Sequence, residues 1–157
     1  MNQLDSRKIT VEITSFSYKL KLPSLLFSFE GGRRGGGFIF DCRCLPNPGR
    51  LSEFKEQTGL DDGVIKYLLD LPETEDFKKR AFELIHSAVN THLERGFDYL
   101  SVGFGCTGGQ HRSVFMSEQL SQYLKQHFSS EVLTVSILHS NLNAEMKPIP
   151  LTGRTIC

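Results

Sequence analysis

No run of about 20 apolar residues occurs in the sequence, and no charged-then-apolar leader opens it, so neither a membrane span nor a secretion signal is expected. A cytoplasmic protein is the default expectation. Tryptophan is absent and cysteine is scarce, the four thiols standing at Cys42, Cys44, Cys106 and Cys157, which in a reducing compartment stay free. Cys42 and Cys44 are not followed by a second cysteine pair or a spaced Cys/His pair. No metal and no cofactor is therefore expected. Net charge is also lacking, with 18 basic residues against 18 acidic ones, whereas proteins that hold nucleic acid through its phosphates usually carry a basic excess. Any RNA role needs a local patch or a partner.

What is present suits one globular domain. A chain of 157 residues buries enough surface for a core without staples, and 39% apolar with 23% charged residues is far from a disordered composition. Residues 1 to 140 are expected to form that domain, with its core over about 8 to 139, and 141 to 157 a flexible tail. Charge shifts along the chain: residues 1 to 50 hold eight Lys/Arg against four Asp/Glu, and 51 to 100 hold six against eleven. The first third is basic and the middle acidic.

Residues 8 to 16 alternate Ile9, Val11 and Ile13 with Thr10, Glu12 and Thr14, which predicts a strand with one wet face. The segment GGRRGGG at 31 to 37 reads as a solvated loop bearing Arg33 and Arg34. FIFDCRCL at 38 to 45 reads as a second strand that puts Asp41 and Arg43 on one face. The two charges could be a structural ion pair or a polar rim at the C-terminal edge of the sheet, and the turn forced by Pro46-Asn47-Pro48-Gly49 favours the rim. A short helix from 51, a second from Asp61 or Asp62 with Leu60, Val64, Tyr67 and Leu68 at helical spacing, and a long helix over 75 to 95 capped by Thr74 follow. The long helix carries an apolar stripe of Phe77, Ala81, Leu84, Ile85, Ala88 and Leu93, with His86 and His92 as packing or surface residues. Residues 98 to 105 and 131 to 138 are strands, and 112 to 128 is a helix that turns Met116, Leu120, Tyr123, Leu124 and Phe128 to the sheet. The order predicts an α/β single-domain sandwich with a mixed, mainly parallel sheet.

The chemistry concentrates in GCTGGQHRS at 105 to 113, between a strand and a helix. Such a junction aims unpaired helix N–H groups, and about half a positive charge, at whatever occupies the crevice. Gly105, Gly108 and Gly109 permit close backbone approach, Thr107 and Ser113 offer hydroxyls, and His111 and Arg112 add a titratable donor and a bidentate fork. A phosphate is the expected anion. The pattern lacks the Lys-Ser/Thr pair of a Walker loop, so it does not imply ATP. It also satisfies Cys-x5-Arg-Ser, the loop of cysteine-dependent phosphatases, in which Cys106 would be the nucleophile, Arg112 the phosphate holder and Asp41 the general acid. The primary expectation is a non-catalytic sensor, and the phosphatase is its alternative.

Two stretches, FIFDCRCLPNPGR at 38 to 50 and GFGCTGGQHRSVFMSEQL at 103 to 120, together resemble the C-terminal domain of the RapZ (YvcJ) family of RNase adapter proteins. The likeness covers residues 9 to about 139, including TGLD at 58 to 61. It implies a fold similar to a phosphofructokinase subdomain, and a family in which this domain usually follows a P-loop kinase-like domain, whence nucleotide binding of the full-length proteins. In the enterobacterial branch it implies sensing of glucosamine-6-phosphate, binding of small RNA, presentation to a ribonuclease, and contacts with regulatory proteins; a homo-oligomer is a separate expectation that the sequence leaves open. Carried over by position, Asp41, Arg43, Asn47, Cys106, Thr107, Gly108, Gly109, His111 and Arg112 would line the sugar-phosphate site. Gly49 stands where that branch has histidine, Gln110 where it has lysine, and Leu138-His139-Ser140 where it has Arg-His-Arg, each change removing a cationic or titratable group.

Overall fold

A computed structural model describes residues 8–20 and 37–142. The glycine-rich loop with Arg33 and Arg34 lies outside the described residues, as does the expected tail apart from Asn141 and Leu142. Strands β1 (Ile9–Ser17), β2 (Gly37–Asp41), β3 (Tyr99–Cys106) and β4 (Leu133–His139) form one sheet in the order β2-β3-β1-β4. All three pairings are parallel. Helices α1 (Asp62–Leu69) and α2 (Pro72–Arg95) connect β2 to its neighbour β3, and α3 (Arg112–His127) connects β3 to β4. The fold is α/β, as the order of elements requires.

One parity of the strands builds the core. Ile9, Val11 and Ile13 of β1, Leu100, Val102 and Phe104 of β3 and Leu133 of β4 pack against Ala81, Phe82, Ile85 and Val89 of α2 and Phe115, Met116, Leu120 and Leu124 of α3. Both long helices therefore cover the same face. Phe40 stacks on Phe104 at 5.4 Å between centroids, with Phe77 set edge-on to Phe40, which ties β2 and the start of α2 to the centre.

Several local expectations are corrected. β1 is a central strand, and Thr14 and Phe16 are buried along with its apolar residues, so it has no freely wet face. β2 stops at Asp41, whose carboxylate accepts the Arg43 N–H at 2.9 Å and turns Cys42–Cys44 into a 3-10 turn, so Arg43 does not continue a strand face. Two more such turns, Pro48–Arg50 and Ser52–Phe54, replace the short helix expected from 51. α2 begins at Pro72, because proline fits the first helical position where no N–H is needed, and Thr74 is inside the helix. Its stripe includes Phe82 and Val89, while Leu84 and Leu60 face solvent.

His86 Nδ1 lies 3.1 Å from the Tyr123 hydroxyl and His92 packs edge-on to Phe97, in keeping with packing roles. Thr74 is fully buried and its hydroxyl has no partner. Thr74→Val removes an unsatisfied polar atom at nearly constant volume, and urea unfolding should show a gain of about 1 kcal/mol. A loss would mean that the hydroxyl is satisfied.

Candidate anion-binding site

β3 ends at Cys106 and α3 starts at Arg112, so five residues make the whole turn. Three of their carbonyls accept hydrogen bonds from the protein. The Ser17 hydroxyl donates to Thr107 O at 2.7 Å, Gly59 N–H to Gln110 O at 2.9 Å, and Phe115 N–H to His111 O at 2.9 Å. By contrast, no backbone N–H from Gly108 to Val114 donates to a protein group among the described residues. A run of unpaired donors at the positive end of a 16-residue helix is an arrangement for receiving negative charge. Gly109 adopts φ +67°, and a Cβ there would meet Ser17 N at 3.0 Å, so this face of the loop is pressed on the end of β1. Gly108 is exposed, with nothing within 4 Å of an added Cβ, and is the open side.

Arg112 joins the two halves of the site. Although only 4% exposed, its guanidinium donates from NH1 to Arg43 O at 3.2 Å and Leu45 O at 2.9 Å, which anchors the turn after β2 to the start of α3. Its Nε is buried without a partner, and NH2 makes only a 3.5 Å contact to Thr107 Oγ1. Nε and NH2 share one edge of the guanidinium, so the residue's unused donor capacity lies on that edge, with Nε closed to solvent.

The other sequence-predicted residues divide by what they touch. Cys106 Sγ lies 3.2 Å from Ser113 Oγ, both buried at the base of the loop. His111 donates from Nε2 to Phe54 O at 2.8 Å, and Gln110 donates to Lys55 O and Gln57 O. These two side chains clasp the segment 54–59. A Cβ on Gly49 would come within 3.3 Å of the His111 ring. The Asn47 side chain accepts the Gly49 N–H at 3.2 Å and shapes its own turn.

Asp41 and Arg43 do stand at the C-terminal edge of the sheet, Asp41 in register with Gly105, and they are also an ion pair. Both carboxylate oxygens accept from Arg43 at 2.6 to 3.0 Å, with the side chains 43% and 50% exposed. The two alternatives left by the sequence thus coexist. Hydrogen bonding from Arg43 holds the Asp41 carboxyl below its ordinary value, and the same bonds raise Arg43.

A carboxyl whose folded pKa is depressed adds stability above its unfolded value of about 3.9, and that stability is lost as pH falls through the folded pKa. Asp41→Asn should therefore lower the melting temperature slightly from pH 5 to 8, with the difference from wild type closing in stronger acid. The effect is small because the pair is solvated. A constant difference down to about pH 2 would place the effect elsewhere.

Tyr18 and Ser17 belong to the site although sequence patterning missed them. The Arg43 guanidinium sits 4.2 Å above the Tyr18 ring, which also packs against Phe16 and the position of Gly105. The usable signal is that β1 runs parallel beside β3, with Ser17 in register with Cys106, so its C-terminal residues must reach the same edge.

Fold and site together define an α/β domain with a strand-loop-helix junction at the C-terminal edge of a parallel sheet. Residues 9–143 match the RapZ C-terminal domain, and the chain belongs to that family. It is 34% identical over 134 residues to a nucleotide-binding protein of Acidothermus cellulolyticus, covering 85% of this chain and 40% of that one. A nucleotide-binding protein of Geobacter sulfurreducens is 35% identical over 134 residues, covering 85% and 42%. One from Lactobacillus delbrueckii subsp. bulgaricus is 32% identical over 145 residues, covering 92% and 44%. The chain spans about two fifths of the length of these curated relatives. Among the described residues, no helix is long and apolar enough to cross a membrane.

Proposed function

We propose that the loop 106–112 and the rim formed by Asp41, Arg43 and Asn47 bind a phosphorylated small molecule, an amino-sugar phosphate of the glucosamine-6-phosphate kind, and that the domain acts as its sensor. The observation that carries this reading is the run of unpaired N–H groups from Gly108 to Val114, in the same strand-loop-helix junction as the unpaired Nε of Arg112. Three or four charge-assisted bonds of about 1.5–3 kcal/mol each, less ordering costs, correspond to binding around the micromolar range. Phosphate goes to the loop amides and Arg112. The amine or a hydroxyl goes to Asp41, in competition with Arg43.

Thermal denaturation with glucosamine-6-phosphate, glucose-6-phosphate and inorganic phosphate tests this directly. The amino sugar should raise the melting temperature most and inorganic phosphate least. No shift with any of the three would sink the proposal.

The sensed state is read out, in this proposal, through the partners that the family suggests: small RNA, a ribonuclease or a regulatory protein, and further copies of the chain. The cytoplasm, where Cys42, Cys44 and Cys106 remain free thiols, is the setting. Filter binding of small RNA that weakens steeply with salt would support the RNA arm, and no retention at low salt would remove it.

A further inference from the structure

The base of the loop holds a thiol whose chemistry goes beyond a ligand contact. Cys106 is the last residue of β3, and its sulfur sits 3.2 Å from the Ser113 hydroxyl, one residue beyond Arg112 at the start of α3. Arg112 is more than nine-tenths buried, and its Nε is unpaired. One thiol, one hydroxyl able to donate to a thiolate, one free guanidinium edge and a row of backbone donors thus converge at one junction. These are the parts that in-line phosphoryl transfer to sulfur requires.

We propose that Cys106 accepts a phosphoryl group from acyl or aryl phosphates bound in the loop, and that the resulting phosphocysteine is hydrolysed by water. This rests on the phosphate-binding reading of the same site. The buried Cys106 thiol passes its proton to a non-bridging oxygen of the bound phosphate as its sulfur, held beside the Ser113 hydroxyl, attacks phosphorus. The P–S bond forms as the P–O bond to the carboxylate or phenolate breaks, and that leaving group departs with the bonding pair. Water then attacks phosphorus, the P–S bond breaks, and the products are inorganic phosphate and the regenerated thiol. No oxidation or reduction occurs.

The substrate class follows from what surrounds the site. An alkoxide leaving group needs a proton, and the neighbouring acid candidates are spoken for. Both Asp41 oxygens accept from Arg43, and these bonds hold its carboxyl below the ordinary value, in the deprotonated form. His111 commits its Nε2 proton to the Phe54 carbonyl. Cys42, buried beside Cys106, is raised by burial and stays a thiol. Sugar phosphates, which are alkyl esters, therefore bind without being cleaved, whereas acyl and aryl phosphates leave unprotonated. A sensor and a phosphoryl acceptor are compatible in one pocket.

The test follows phosphate release from acetyl phosphate, p-nitrophenyl phosphate and glucosamine-6-phosphate by the whole chain, beside calorimetric binding of inorganic phosphate. Release is expected from the first two and not from the third. Cys106→Ser should cut it about a hundredfold or more. Ser113→Ala should slow breakage of the P–S bond, so that intact-protein mass spectrometry after acetyl phosphate shows one added phosphoryl group. The readout is independent of turnover. If wild type binds inorganic phosphate yet releases none above Cys106→Ser, and no adduct forms on Ser113→Ala, the inference is overturned and the binding reading stands. If wild type binds no phosphate, both fall.

Discussion

Arg112→Ala is expected to lose about 2–4 kcal/mol of stability and all phosphate-induced stabilisation in the same variant. The first loss follows from the carbonyls of Arg43 and Leu45, which accept from NH1 in a buried setting and are left without a donor when the side chain is cut back. A hydrogen bond to a charged group contributes about 1.5–3 kcal/mol, and partial hydration of the vacated space recovers some of it. For a domain of this size that is a fall of roughly 5–15 °C in melting temperature. The second loss follows from the Nε and NH2 edge, which has no other claim on it than the weak Thr107 contact. Arg112→Lys separates the two effects, because an ammonium keeps the charge but cannot hold two carbonyls and present a fork at once. It should recover part of the phosphate response and little of the stability. An Arg112→Ala protein as stable as wild type would show that the turn after β2 is not tied to α3 through this residue.

The dual use of Arg112 also marks where sequence reading stops. Its place at the head of a helix, six residues after the cysteine that ends a strand, is a matter of local spacing, and the strand-loop-helix junction itself could be read from its glycines and the patterning on either side. The location of Asp41 at the sheet edge could be read too, since strand alternation and the Pro46–Pro48 turn fix it. What could not be read is which side chains are already engaged, because their partners are distant in sequence. His111 meets a carbonyl 57 residues away and Gln110 meets two at 53 and 55. β1 shows a different limit. Its polar residues Thr10, Glu12 and Thr14 suggested a wet face, but crossovers placed the strand between β3 and β4, and burial followed position in the sheet. Tyr18 was missed for the same reason, since only knowledge of that central position brings its ring under Arg43.

The distant clasp has its own mechanical consequence, and Gly59→Ala exposes it. Gly59 has no left-handed backbone to protect, so the demand for glycine is one of space alone. An added Cβ would strike the His111 carbonyl oxygen and come within 2.5 Å of Phe115 N and 2.9 Å of Val114 Cβ, all in the first turn of α3. Backbone at the start of a packed helix cannot retreat as a side-chain tip can. Either the segment 54–59 lifts away, breaking the Gly59 N–H to Gln110 bond and the carbonyl contacts of Gln110 and His111, or the helix start shifts and misaligns its free donors. The expected cost is about 3 kcal/mol by urea unfolding, with a lower affinity for inorganic phosphate. Gly108→Ala is the control, because an added methyl there meets nothing within 4 Å, and its stability should stay within about 0.5 kcal/mol of wild type. Equal stabilities for the two variants would mean that the 54–59 segment rests on the loop without bracing it. A large loss at Gly59 alone would show that the loop's shape is imposed from outside its own nine residues.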